Sequence, residues 1–332
     1  MVQKSFAAIL TLIFFVGCTP TIDSQAKPPV VPVNAISTSS VQIHHTNTSA
    51  VPQEKAEREL DAFSRVDISV ELSDVSIRPA DSYGIELLWY DPQLNPTYRV
   101  DNGTLVVTSP EHGKLSFDKE VPNGQIIVYL PESVHLDKVS VKADMGSIQI
   151  ADKEIGVLTI ECDAGKTVLN RVSAQTMELS NEMGSVSVYD STVTNTVTVN
   201  CDAGNIILNR VSAEDVKLSN KMGSVMIDSS TGVKATDIQC DAGDIEIAGD
   251  IQGKINLNND MGHVIIKTTT AAESINYNLT IDMGTLLVDG REYKEYFTQN
   301  GAPYSLWART KAGNMEVYHL TAIDKEATVR NP

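Results

Sequence analysis

Apolar residues recur along this chain in pairs spaced by two, and the pairs themselves recur every 19 to 20 residues. Counting from a repeating glycine, position −7 carries Val139, Leu158, Met177, Val197, Val216, Thr236, Ile255 and Tyr277. Position −5 carries Val141, Ile160, Leu179, Val199, Leu218, Ile238, Leu257 and Leu279. Position +2 carries Ile148, Thr167, Val186, Ile206, Val225, Ile245, Val264 and Leu286, and position +4 carries Ile150, Leu169, Val188, Leu208, Ile227, Ile247, Ile266 and Val288. A spacing of two marks one face of a β-strand. Each repeat therefore predicts at least two short strands, one on either side of its glycine. Stacked repeats would merge the inward faces into one core.

The glycines are Gly146, Gly165, Gly184, Gly204, Gly223, Gly243, Gly262 and Gly284, with Gly313 as a looser ninth member. They stand where the alternation changes parity, as expected of a corner that needs positive φ. Position −2 is acidic in most repeats: Asp144, Asp163, Glu182, Asp202, Asp241, Asp260 and Asp282, interrupted by Lys221. Two readings stand for this column. The carboxylates act as Asx-type turn formers, or Asp144, Asp163, Asp202, Asp241 and Asp260 form a weak Ca²⁺ ladder. At −1, Met and Ala alternate, and at −3, Cys162, Cys201 and Cys240 alternate with Asn181, Asn220 and Asn259. Strand parity assigns both positions to the interior, where large and small residues of successive repeats would interlock. The cysteines are two repeats apart, about 9.6 Å at sheet spacing, beyond the reach of a disulfide, and are expected to be inert core.

The outward position +3 is partly apolar, with Val168, Ile207, Met226, Ile265 and Leu287. It is either an interaction face or a strip covered by another segment. The last interval carries Tyr293, Tyr296, Phe297, Tyr304 and Trp307, an aromatic group that suits a C-terminal cap and, alternatively, sugar stacking.

The flanks are different. An apolar run from Phe6 to Val16 is too short for a membrane span and reads as the core of a signal peptide over residues 1–17. Its end, Phe15-Val16-Gly17-Cys18, resembles a bacterial lipobox. The resemblance implies lipidation of Cys18, and Thr19 in place of Asp implies the outer membrane, facing the periplasm or the surface. Residues 18–62 are rich in Pro, Ser and Thr and are expected to be a disordered tether, with one or two helical turns over Glu54–Leu60. Residues 63–135 alternate without the strict repeat and predict a β-rich N-terminal cap; 136–320 hold the repeats; 321–332 form a tail.

A net charge of −17 opposes binding to nucleic acid or to an anionic bilayer, so membrane contact rests on the lipid. The six histidines are scattered and expected to be solvated or in the tether. No G-x-S-x-G, P-loop, Rossmann or H-E-x-x-H motif occurs. No cofactor is expected.

Val128-Tyr129-Leu130-Pro131, leading into Val139-Ser140-Val141-Lys142-Ala143-Asp144-Met145-Gly146-Ser147-Ile148, resembles the bacterial "putative adhesin" β-solenoid family, a domain of unknown function. The closing Thr310-Lys311-Ala312-Gly313-Asn314-Met315-Glu316-Val317 fits the same pattern. The resemblance implies an envelope location and a non-enzymatic role. The fold expected is all-β: a parallel β-solenoid, or single-stranded β-helix, with 19–20 residues per rung and a stack near 40 Å long. The function expected is an adhesin-like binding or scaffold module for a protein or polysaccharide surface. The alternatives are a polysaccharide-active β-helix enzyme and a Ca²⁺-stabilised rod.

Overall fold

The computed structural model describes residues 52–110 and 122–320. These form an all-β, nearly closed mixed sheet, with two single-turn 3₁₀ segments at Pro92–Leu94 and Ala272–Ser274. The signal peptide, Cys18, most of the tether and the tail lie outside the described residues.

Between residues 135 and 268 the strands pair in parallel at the sequence period. Ile206–Asn209 pairs with the segment around Val186 on one side and with Val225–Asp228 on the other, with Ile206 opposite both Val186 and Val225. Ser212–Met222 pairs likewise with Thr192–Ala203 and Thr231–Ala242. The four apolar columns thus stack in register and are buried, including Thr167 and Thr236. A parallel sheet needs both faces covered or closed on itself. Here each repeat turns at corners, so one face of every strand points to a common core.

The corner glycines are required by contact as well as by conformation. Gly184 has φ of 135°, and a Cβ there would sit 1.7 Å from the carbonyl oxygen of Gly165. Gly223 has φ of 121°, and its Cβ would meet the Gly204 oxygen at 2.0 Å. No side chain fits between successive corners.

The repeat starts earlier than the glycines do. Arg65–Ala80 is a complete repeat in parallel register with the first glycine-bearing one: Val66 faces Val139, Ile68 faces Val141 and Val75 faces Ile148. Ser73 takes the glycine's place, and its carbonyl lies against Gly146. The N-terminal cap is built on the far side of this strand. Thr104–Thr108 and Gly124–Pro131 add to it in parallel, and Gly84–Trp89 and Thr97–Asp101 close the edges antiparallel. The chain also enters the fold before residue 63. Gln53–Glu57 is a strand, not helical turns, and pairs antiparallel with Gly84–Trp89. It is exposed along its length, so its apolar content gives no signal, and backbone pairing alone places it.

At the other end the order of repeats in space departs from the order in sequence. Tyr304–Ala312 pairs in parallel with Lys254–Met261 on one side and Ile275–Met283 on the other. Met315–His319 likewise lies between Val264–Thr268 and Leu286–Val288. The last repeat is inserted as the penultimate layer. The outer layer, Ile275–Val288, is sealed by Arg291–Tyr293 and Tyr296–Gln299, both antiparallel to it. Antiparallel covers at both ends remove the open edges a parallel stack would otherwise expose.

Candidate functional site

Position −3 faces inward, and from Cys162 to Cys240 it reaches the carbonyl of the preceding corner, whereas the buried amide of Asn259 makes no such bond. The Nδ2 groups of Asn181 and Asn220 donate to the carbonyls of Gly165 and Gly204, both at 3.0 Å. The thiols of Cys162 and Cys201 lie 3.5 and 3.3 Å from the carbonyls of Gly146 and Gly184. Cys162, Cys201 and Cys240 are free and buried. Burial, with the neighbouring Asp163, pushes the Cys162 thiol up to about 11; burial beside Asp241 does the same for Cys240. The cysteines are therefore weak hydrogen-bond donors within the stack and poor nucleophiles.

Position −1 corrects the parity argument. Alternation predicts inward methionines, but Met183, Met222, Met261 and Met283 are 57–67% exposed. The paired register skips −2, running from Asn220 opposite Cys240 to Met222 opposite Ala242, and the inward–outward alternation breaks there, so −1, the last strand residue before the glycine, points outward. In space the column reads Met145, Ala164, Met183, Ala203, Met222, Ala242, Met261, Ala312, Met283. Alternation survives the inserted repeat, which places Ala312 between Met261 and Met283. It does not depend on the −3 residue either, because Met283 belongs to a repeat with Ile281 at that position. The result is a ridge of exposed thioethers at every second layer, about 9.6 Å apart.

The acidic column runs beside this ridge. Asp202 is paired with Lys221 at 2.6 Å and Asp260 with Lys311 at 2.7 Å. Among the described residues no group of three His, Cys, Asp or Glu side chains is arranged to hold a metal ion. The corner amides are met by the residue after the glycine rather than by the −2 acid. Asn205 Oδ1 accepts from the Ser224 amide, Asp244 Oδ1 from His263, and Asn314 Oδ1 from Thr285. Asp74 serves Ser147 in the same way.

A second corner lies six residues after the glycine. Asp152, Arg171, Asp190, Arg210 and Ser229 all have φ near +50°. Four of these form a charge ladder: Arg171 Nη2 donates to Asp152 at 2.8 Å, and Arg210 Nη2 to Asp190 at 2.9 Å. The guanidinium hydrogen bonds hold both carboxyls below the usual aspartate range. Sequence reasoning passed over this column, though its 19- to 20-residue recurrence was available.

Of the outward +3 residues, Met226 is exposed, and Val168, Ile207, Ile265 and Leu287 are half-buried. Glu246 and Glu316 interrupt them in space. Their side chains do point out of the core.

The aromatic group divides. Phe297 packs on Tyr277, with ring centroids 5.4 Å apart, and Tyr293 packs on Phe297 at 4.8 Å, and the three form the cap. Tyr296 and Trp307 are exposed. Trp307 lies in the middle of the strand face, flanked in register by Asn256 and Asn278. A shallow depression of about 360 Å³ surrounds it.

His319 is not solvated. Its Nδ1 bonds Asp289 at 2.8 Å and its Nε2 meets the Tyr277 hydroxyl. Tyr277 is buried, and that burial raises its pKa, so the phenol stays neutral. The trio ties the inserted strand to the outer layer. His135 and His263 are exposed; His44, His45 and His112 lie outside the described residues.

The chain belongs to the Toastrack DUF4097 family, whose model matches residues 63–258 and 178–288. A "putative adhesin" from Bacteroides fragilis is similar at 12% identity, over 80% of this chain and 97% of that one, with a TM-score of 0.46. A "putative adhesin" from Parabacteroides distasonis is similar at 11% identity, over 81% and 98%, with a TM-score of 0.41. A "putative cell adhesion protein" from Clostridium sporogenes is similar at 12% identity, over 81% and 100%, with a TM-score of 0.31. No curated protein matches the chain.

Proposed function

We propose that this chain is a non-enzymatic, adhesin-like binding module of the cell envelope, built as a single-stranded parallel β-solenoid of 19–20 residues per rung. Cys18 carries the lipid that anchors it to the outer membrane, and the residues after it form the tether. The observation that supports the binding role best is the ridge of Met183, Met222, Met261 and Met283. Side chains that contribute little to the core, yet keep their spacing across the inserted repeat, suit contact with a partner. The half-buried +3 stripe, with Met226 at its most exposed point, offers a second apolar contact strip. The titratable groups are either paired across repeats or scattered, and the family's relatives carry adhesion-related descriptions.

The test is retention of purified protein on isolated cell envelopes. A variant with all four ridge methionines changed to Gln should lose retention while keeping its melting temperature. Undiminished retention would remove the ridge from the reading. Separately, Cys18→Ala should abolish incorporation of a palmitate analogue and release the protein from the membrane fraction; unchanged labelling would overturn the anchor.

A further inference from the structure

The strand face that carries positions −6 and −4 is otherwise polar. In spatial order its −6 column reads Ser140, Thr159, Glu178, Thr198, Lys217, Asp237, Asn256, Trp307, Asn278. One aromatic side chain interrupts it. Trp307 is 48% exposed, packs no core, and sits over a concavity rather than on a bulge. Lys254 Nζ lies 4.4 Å from its ring centroid, which fixes the indole at little further entropic cost to a ligand.

Several amides of the stack are spent on backbone carbonyls. Asn181 and Asn220 spend their side chains on corner carbonyls, and Asn276 on Ala302 and Tyr304. Asn258 and Asn278 line the depression, are exposed, and make no side-chain hydrogen bond among the described residues. Thr280 lies beside them, its hydroxyl likewise unspent among the described residues. The cation on the same strand is already neutralised, since Arg309 donates to Asp282 at 2.9 Å.

We propose that the depression around Trp307 binds an uncharged pyranose glycan. The C–H face of a sugar ring stacks on the indole, and its hydroxyls take the free donors and acceptors of Asn258, Asn278 and Thr280. The −17 net charge selects against a polyanionic chain; of the two cations at the site, Arg309 is paired with Asp282 and Lys254 lies over the indole. The site is separate from the methionine ridge, which lies at the corner.

The experiment titrates the full chain with neutral pentasaccharides of β-1,4-glucose, β-1,3-glucose, α-1,4-glucose and β-1,4-mannose, and with polygalacturonate as the charged comparison. The chain has two tryptophans, and Trp89 is 8% exposed, so a ligand-induced change in emission reports Trp307. A saturable change with at least one neutral oligosaccharide is expected. Calorimetry should then show binding abolished in Trp307→Ala, retained but weaker in Trp307→Phe, and weakened about 3- to 10-fold in Asn278→Ala, the loss of one hydrogen bond. The ridge variant should bind the sugar normally. The proposal fails if no neutral oligosaccharide binds, if Trp307→Ala binds as well as the parent, or if only polygalacturonate binds and salt removes it. A melt of Trp307→Ala matching the parent excludes misfolding as the cause.

Discussion

The side-chain amide of Asn181 reaches back one repeat and donates to the carbonyl of Gly165 at 3.0 Å. The same geometry joins Asn220 to Gly204, Cys162 to Gly146 and Cys201 to Gly184, each the glycine one repeat back, so this inward column holds these successive corners together. Replacing Asn181 by Ala leaves a buried carbonyl without its donor. A loss of about 1–3 kcal/mol is expected. Asn181→Cys, which restores the partner used in alternate repeats, should recover part of it. Denaturant melts of the two variants measure the difference.

Gly184→Ala is expected to be worse than any single column substitution of similar size. It forces a positive φ on a residue with a Cβ and drives that Cβ into the Gly165 carbonyl. Strain and overpacking each cost about 1–3 kcal/mol, so a combined loss of about 2–6 kcal/mol should appear in the melt. Gly290→Ala has a positive φ but open space around it, and should cost less.

The three buried thiols should resist alkylation. With Cys162 and Cys240 raised to about 11, maleimide at pH 8 is expected to leave Cys162, Cys201 and Cys240 unmodified in the folded chain and to label all three in denaturant. Peptide mass spectrometry reads each site.

Methionine oxidation offers the complementary measurement. Met183, Met222, Met261 and Met283 should convert to sulfoxide in dilute peroxide well before Met177 and Met315, which are fully buried. Equal rates would contradict the outward placement of the corner methionines.

The Asp152–Arg171 pair gives a pH signature. Arg171 depresses the Asp152 carboxyl, so its contribution is present above the ordinary aspartate pKa of 3.8 and disappears as pH falls through the lowered folded value. Arg171→Gln should therefore be slightly less stable than the parent at pH 7, and the two should converge in acid. Both side chains are largely exposed, so the difference at neutral pH is small.

Much of the core was readable because two periods coincide: strand alternation fixes which residues face inward, and the recurrence near twenty fixes which stack. That is why Val186, Ile206 and Val225 fall into register. Alternation stops being a guide where the ladder skips a residue, and Met222, Met261 and Met283, the last residues of their strands, sit just past that skip. The Asp152–Arg171–Asp190–Arg210 ladder was equally periodic, but nothing in the residue types announces left-handed backbone. Gln53–Glu57 has no buried side chain to betray it. The aromatic residues between Gly284 and Gly313 pointed to a C-terminal cap, yet only pairing geometry shows which layer comes last.

That exchange of layers has a consequence for how the C-terminal end is assembled. Ile275–Val288 cannot reach Lys254–Thr268 by simple accretion, because residues made later must come to lie between them. One-by-one addition as the chain emerges thus stops at Thr268, and the final two layers close together as a single latch, bolted by Tyr277, His319 and Asp289. A chain cut before Tyr304 does not lose its outermost layer; it loses the wedge, and with it the strands against which Ile275–Met283 and Leu286–Val288 pair.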